Sequence, residues 1–486
     1  MLFLGILLLL ATYSTRLASR FGIPGLIVFL GLGMLFGSDG LNLVYFDDPI
    51  LAQKIAEAAL LIILFEGGFT TSRSLFQMTV GPASFLATVG IVLTAVILGF
   101  LSHLVLGVDL KIAMLIGAIT SSTDAAAVFA IMRAKKLSPK TAATLEIESA
   151  SNDPMAIILT VAIIALIQGD ITTPASFVAT LTWQILIGAV IGVIIGKIGP
   201  ILFNRAKLEA SAFYYVLILG LAALTFGLAE LIKANGFIAV FVAGYFIGNA
   251  EFVYKQGISR FLEGVSTFVH VVLFLMLGLL VFPSQLIYSW KEGVVIALLL
   301  MFIARPLTVF LSTVFWDFTL KEKLFLCWGG VKGAVPIVLA TYPTVAGLEV
   351  GHFIFNTVFF VVLLSTLIQG SSLYWVANKL GLLIGERQTK SYYLELIATE
   401  KTDYALLEYE IREDSYLVGS KLGKLAFPAN SLITAIVRNN SIIAPRGGTA
   451  IQGGDTLFIL VKHEDQNHLL EKLDADKDSF APDTLS

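Results

Sequence analysis

The sequence predicts an all-α, polytopic membrane protein of about 13 transmembrane helices, followed by a small soluble α/β domain. Three observations carry that prediction. The 486 residues are 57% hydrophobic and only 14% charged, whereas soluble globular chains carry roughly 25% charged residues. Apolar runs of bilayer-spanning length recur as far as residue 377. After Asn378 the chain turns polar and takes on the pattern of short strands.

A helix needs about 20 apolar residues to cross a bilayer. Such runs fall at 1–15, 22–38, 50–67, 80–104, 111–132, 142–168, 181–203, 211–233, 236–250, 265–283, 293–316, 323–345 and 352–377. The first lacks the basic start of a cleaved signal peptide and is followed at once by another span. It is short, and reads as the inner part of a longer helix. Lys and Arg concentrate in cytoplasmic loops. Alternate loops hold Arg16 and Arg20; Arg73; Arg133, Lys135, Lys136 and Lys140; Arg205 and Lys207; Lys255 and Arg260; Lys321 and Lys323; then Lys379, Arg387 and Lys390. The opposite loops hold Asp47, Asp48, Asp109 and Asp170 with few bases. The bias expects a multi-pass protein of the cell membrane with its N-terminus outside and its C-terminal domain in the cytoplasm.

The expected organisation is a transmembrane domain over 1–380, a charged connector over 381–400, an α/β unit over 401–470 and a polar, disordered tail over 471–486. LITAIVR (432–438) and LFILVK (457–462) read as strands, with PRGG and GG as hairpin turns between them. A lone cysteine, Cys327, excludes a disulfide scaffold. The five histidines offer no zinc-pair spacing, so no metal is expected beyond a transported monovalent cation. No histidine-paired nucleophile or phosphate-cradling loop is present, which speaks against an enzyme and against any cofactor.

An ionisable side chain inside a span costs on the order of 2.5–3.5 kcal/mol and needs a reason. They cluster: Glu66 in the third span, Asp124 in the fifth, Glu148 and Asp153 in the sixth, Arg305 in the eleventh and Lys332 in the twelfth. Glu230, near the end of the eighth, is a further candidate or an interfacial residue. The fifth span reads GAITSSTDAAAV, with Thr120, Ser121, Ser122 and Thr123 leading to Asp124. Hydroxyls and freed carbonyls there suit a partly dehydrated cation; the plainer reading is close helix packing. In the sixth span, Ser149, Asn152 and Asp153 share one helix face. Pro154 removes an N–H and frees a carbonyl one turn earlier. A buried carboxylate holds either a proton or a cation, and that competition is the chemistry of exchange. Glu148 and Arg305 read as a structural ion pair, since a lone buried charge is severely destabilising. Gly329, Gly330, Gly333 and Pro336 predict an interrupted twelfth helix, with Lys332 as the charge at the break. One interrupted helix in each half is the pattern of an inverted repeat, two six-helix repeats flanking a seventh.

SSTDAAAV, LEIESASNDP and GGVKGAVP together resemble the monovalent cation:proton antiporter family, in the NhaP and sodium–proton exchanger branch with an adjacent Asn-Asp pair. The resemblance covers most of residues 1–380. It implies crossed, broken helices in a mobile bundle, a homodimer embedded in membrane lipid, and electroneutral exchange. It places the ion and proton carrier on Asp153 and the cation's surroundings on Asn152, Thr123, Asp124, Ser149 and Glu66. The family's usual motif has arginine where this chain has Lys332. Positive charge is kept, and bidentate hydrogen bonding is not.

The stretch from Leu417 to Val461 resembles the TrkA-C domain of regulators of potassium conductance. That resemblance implies pairing of two such domains and a regulatory cyclic di-AMP pocket at Ile442, Ile443 and Pro445, or pairing without a ligand. It favours K+ over Na+ as the exchanged cation. A gated cation channel is the reading from another class, but no TVGYG-like filter is present. Nothing in the sequence suggests nucleic-acid binding.

Overall fold

The computed structural model describes residues 2–20, 25–125, 128, 135–171, 173–386, 403–412, 415–425, 427–428, 431–439 and 441–474. The chain divides into two compact units, 1–387 and 388–486.

Each apolar run becomes a helical segment of the first unit. Seven helices are long and apolar enough to cross a membrane: Thr79–Leu106, Pro139–Gln168, Pro174–Ala206, Ala212–Leu231, Lys255–Leu280, Trp290–Ser312 and Gly351–Leu380. Five shorter apolar helices accompany them: Gly5–Thr15, Gly25–Phe36, Leu110–Ile119, Gly236–Gly248 and Ala334–Val345. Pro49–Thr70, which carries Lys54, Glu57 and Glu66, supplies the remaining span. Local chemistry sets several ends. The Asp48 side chain accepts from Leu51 N and caps Pro49–Thr70, with Pro49 in the first turn where its missing N–H costs nothing. Thr319 and Glu322 form a reciprocal capping box. Gly107, Gly169 and Gly381 close helices in the left-handed conformation that glycine adopts without strain.

Three long helices contain a π-helical turn, at Leu86–Gly90, Leu300–Ala304 and Thr366–Gly370. The first two fall in the fourth and eleventh spans, which occupy corresponding places in the two repeats. The helices cross there, and Thr94 Oγ1 donates to Thr308 Oγ1 at 3.1 Å.

The spans form two groups. Phe65, Phe203, Ile218, Ile247 and Leu262 belong to one buried cluster, built from the third and the seventh to tenth spans, and the first two spans join this group by packing on the tenth. Leu86, Leu145, Val309, Phe325 and Leu373 belong to another, built from the fourth to sixth and eleventh to thirteenth. Glycine locks each group internally. A Cβ on Gly244 would lie 2.3 Å from Phe65 O, and one on Gly33 equally close to Leu275 O. In the second group a Cβ on Gly117 would lie 2.4 Å from Ala95 O. Among the described residues, every glycine whose added Cβ would come within 3 Å of another span faces a span of its own group. The seam between the groups is therefore packed through side chains, without backbone interlock. Apolar side chains such as Val190 and Ile194 cover the outside, as expected where the solvent is hydrocarbon.

A two-stranded ribbon pairs β1 (Lys135–Leu137) with β2 (Leu383–Glu386) antiparallel, and Ser138 N donates to Leu382 O at 3.0 Å. The start of the expected connector is thus structured; its residues 387–400 lie outside the described residues. In the second unit β3 (Tyr404–Glu410), β4 (Ser431–Arg438), β5 (Ser441–Ile443) and β6 (Thr456–Lys462) form one sheet in the order β3-β6-β4-β5. The two expected strands are β4 and β6, and they pair directly. The tight hairpin, however, joins β4 to β5 through Asn439 at φ +48°, not through PRGG. Asn tolerates that conformation better than most residues. Fully buried Asp455 holds Arg438 through two hydrogen bonds of 2.8 and 2.7 Å and pins the Gln452–Asp455 turn to β4. A helix at Gln466–Asp474 runs past the boundary expected at 470. The tail from 475 lies outside the described residues.

Replacing Gly244 by Val should wedge the third and ninth spans apart at a cost of about 1–3 kcal/mol. A lowered unfolding temperature in detergent is the measurement that checks it, with Val190→Ala on the exposed outer face as the silent control.

Candidate ion-exchange site

Two helices stop halfway through the molecule. Leu110–Ile119 gives way to an irregular segment through Ala125, and Leu320–Trp328 stops before a break at 329–333, after which Ala334–Leu339 resumes. The first break has a local cause. Thr120 and Ser121 turn their hydroxyls back onto the carbonyls of Ile116 and Ala118, at 2.8 and 2.6 Å. Both carbonyls also accept backbone N–H groups, from Thr120 and Ser121, so the hydroxyls back-bond onto the last turn and compete with its continuation as helix. At the second break, Gly329, Gly330 and Gly333 are poor helix formers and leave room for neighbours.

The two broken segments touch: Asp124 N donates to Val331 O at 2.7 Å. A Cβ on Gly333 would lie 2.3 Å from Asp124 Oδ2, so glycine is what allows this approach. Lys332 is buried and donates from Nζ to the carbonyls of Ser121 and Ser122, at 3.2 and 2.9 Å. Its ammonium sits at the C-terminal end of the first half-helix, where the dipole is negative. Two of the carbonyls that the sequence offered to a cation are therefore occupied by this lysine.

Each break is braced by the span that follows it. In the first repeat Ser149 Oγ donates to Thr123 O at 2.8 Å and accepts from Ala125 N at 3.0 Å. Asn152 accepts from Thr123 N at 3.3 Å and donates to Thr123 Oγ1 at 2.6 Å. In the second repeat Ser365 Oγ accepts from Lys332 N at 3.1 Å, and Thr366 Oγ1 donates to Lys332 O at 2.9 Å. Ser365 in turn donates to Gln369 Oε1 at 2.6 Å. Ser365, Thr366 and Gln369 escaped the sequence reading; their signal was a polar Ser-Thr-x-x-Gln pattern late in the last span.

Asp153 follows Asn152 on the same helix, before Pro154, whose missing N–H leaves the Ala150 carbonyl unpaired within the helix. Among the described residues Asp153 Oδ1 is buried without a hydrogen-bond partner. Its neighbours are Asp124, Lys332 and the Ser122 hydroxyl, which is itself buried without a hydrogen-bond partner. A carboxylate oxygen in this position has an unfilled demand that a proton or a cation can meet.

Glu148 and Arg305 form a bidentate pair, with Nη1 to Oε1 at 2.5 Å and Nη2 to Oε2 at 2.9 Å, both residues being buried. Nη2 also donates to Leu326 O at 3.2 Å. The pair thereby ties the sixth, eleventh and twelfth spans together. A Cβ on Gly330 would lie 2.6 Å from the guanidinium Nε, so the second break also presses on this pair.

Thr123, Asp124, Ser149, Asn152, Asp153 and Lys332 thus come together at the crossing, with Glu148 and Arg305 one turn away. Glu66 stands apart, half-buried beside Glu263 and Ser266 of the tenth span. In the second unit, Ile442 is exposed on the edge strand β5 while Ile443 packs on the domain core. Lys197, an ionisable residue within the seventh span that the sequence reading passed over, is exposed on the outer face.

Crossed half-helices, a buried carboxylate with an open valence and a fixed counter-charge define a secondary ion transporter. The chain belongs to the sodium/hydrogen exchanger family, whose transmembrane model matches residues 5–379, and it is a cation/proton antiporter, not an enzyme. A TrkA-C domain matches residues 406–474. The chain is 34% identical over 467 residues to the K(+)/H(+) antiporter NhaP of Alkalimonas amylolytica, covering 96% of this chain and 81% of that one. It is 35% identical over 458 residues to the K(+)/H(+) antiporter NhaP2 of a Shewanella species, covering 93% and 80% respectively. The solved sodium proton antiporter MjNhaP1 of Methanocaldococcus jannaschii, at pH 8, superposes with a TM-score of 0.69 at 26% identity, over 78% of this chain and 97% of that one.

Neutralising one member of the buried pair leaves the other unpaired, at a cost of about 3–5 kcal/mol. Glu148→Gln and Arg305→Met should each reduce thermal stability by that order, and the Glu148→Arg/Arg305→Glu swap should recover part of the loss. A double-mutant cycle on unfolding temperature checks it, strong non-additivity being the expected outcome.

Proposed function

We propose that the chain exchanges K+ for H+ one for one across the cell membrane, with Asp153 carrying either the proton or the cation. The observation that carries this reading is the unpartnered Oδ1 of Asp153 at a crossing where Ser149, Asn152 and Lys332 are already engaged and the neighbouring Ser122 hydroxyl is equally free. Ser149 and Asn152 spend their hydrogen bonds on Thr123 and Ala125 of the first break, so they shape the site while Asp153 supplies the charge. Asp124 and Thr123 border the cation, and Lys332 offsets one of the two negative charges. Glu66 is a secondary cation contact in this scheme, beside Glu263 and away from the crossing.

K+ is preferred on two grounds: the names of the relatives cited above, and a domain that resembles regulators of potassium conductance. Na+ is the alternative, favoured by the name of the structural neighbour. The orientation follows the basic loops, with the N-terminus outside and the 401–470 domain in the cytoplasm. In purified protein reconstituted in liposomes, K+ should release a preset pH gradient. Asp153→Asn should reduce that release to the background of empty liposomes while the protein inserts normally. Electroneutral exchange further requires that the wild-type rate stay unchanged when valinomycin imposes a membrane potential at fixed pH.

The protein acts as a homodimer in lipid, and the C-terminal domain regulates rather than transports, since it has no span of its own. Cyclic di-AMP between paired domains, near Ile442, Ile443 and Pro445, is the ligand that the domain resemblance suggests. A ligand shifts transport only through its differential affinity for two arrangements, a coupling of about 1–3 kcal/mol. A chain ending after residue 387 should still exchange ions and lose that response. Titration of cyclic di-AMP into the full-length protein should release heat and change the exchange rate; no heat would leave pairing as the domain's role.

A further inference from the structure

The two groups of spans meet along a seam without backbone interlock, and a cluster of polar groups crosses that seam at one end. Tyr342 follows the second half-helix of the twelfth span, on the side of the carrier site. Its Oη donates to Glu57 Oε1 at 2.9 Å, and Glu57 belongs to the third span, in the other group. Gln53 Nε2 donates to the same oxygen at 2.9 Å. Glu230 of the eighth span lies within electrostatic reach of both Glu57 and Tyr342, while its own carboxylate accepts from Gly236 N at 3.1 Å. Beside this cluster a cavity of about 80 Å³ straddles the seam. Asp47, Pro49 and Leu280 line it from one group, and Thr341, His352 and Asn356 from the other. Thr341, next to Tyr342, is itself buried.

Exchange through one carrier requires that the crossing be reached from one side at a time, so the seam must part at one end while it stays closed at the other. A hydrogen bond that joins the two groups at one end of the seam is lost when that end parts. One that forms with a carboxylate, half-buried and held by a second donor from its own helix, is stronger than a neutral pair and is fixed in place before the tyrosine arrives. We infer that Tyr342 and Glu57 form a latch across the seam, holding this end of the molecule closed, with Gln53 positioning the carboxylate. Neither residue touches the carrier site. Both act on it through the equilibrium between the two closures, and the latch stabilises one closure only. The inference holds for whichever monovalent cation is exchanged.

The test uses the full chain in liposomes with Asn356→Cys as a reporter on the cavity wall. A membrane-impermeant maleimide is applied from the side bearing the 346–350 loop, and labelling of the chain without the reporter is subtracted as the background from Cys327. Tyr342→Phe keeps the ring and removes the donor. It should raise the labelling rate on the order of fivefold, the factor by which loss of one net hydrogen bond shifts a two-state equilibrium. Glu57→Ala should raise it similarly, and the double variant should match the single ones, because both remove the same bond. A purely structural role would lower the unfolding temperature without changing sided labelling. An unchanged labelling rate in both single variants, with exchange intact, overturns the latch, as does an additive effect in the double variant. If Tyr342→Phe does not assemble, Glu57→Ala and Gln53→Ala decide the matter by the same readout.

Discussion

The hydrocarbon core of a membrane offers no hydrogen bonds, so each backbone group exposed by a break in a helix must find a partner within the protein. Two such breaks cross here, and much of the surrounding structure answers their demand. The Thr123–Ala125 segment takes its partners from Ser149 and Asn152, the backbone of Lys332 from Ser365 and Thr366, and one rung, Asp124 N to Val331 O, joins the breaks directly. The site is therefore a backbone problem solved by side chains. Asp153 Oδ1, like the Ser122 hydroxyl beside it, takes no part in that solution.

The two repeats solve the problem alike and differ in charge. Each places a π-turn in its fourth helix, a break in its fifth and polar braces in its sixth. The first repeat contributes Asp124 and Asp153, the second Lys332. One positive charge stands against two carboxylates at the crossing, and the ammonium caps the first half-helix. Arginine at that position could grip both carbonyls in a planar fork. Lysine meets them as a point charge.

The Glu148–Arg305 pair and the glycines perform a different task. The pair holds three spans of the carrier group against one another, and glycine brings backbone to within contact inside each group but not across the seam. Between the groups the contact is through buried apolar side chains such as Leu60 and Leu273 on one side and Leu115 and Ile337 on the other. The ribbon of β1 and β2 adds a mechanical consequence: the exit of the last span is paired with the segment that leads into the carrier helix Pro139–Gln168.

Whatever depends on local covalent chemistry was legible in the sequence. Hydropathy located thirteen spans because transfer from water to lipid is a property of each side chain. Charges in apolar runs marked the site because their cost is independent of fold. Hydroxyl and glycine clusters marked both breaks because they weaken a helix wherever it lies. The strands β4 and β6 were legible for the same reason, while the three-residue β5 and the half-exposed β3 were too short or too mixed to announce themselves. Only the tertiary structure decided who faces whom. It gave the Ser121 and Ser122 carbonyls to Lys332, turned Ser149 and Asn152 into braces, set Glu66 beside Glu263 and joined Tyr342 to Glu57 across 285 residues of chain. Those pairings depend on distances between helices far apart in sequence, and no local propensity encodes a distance.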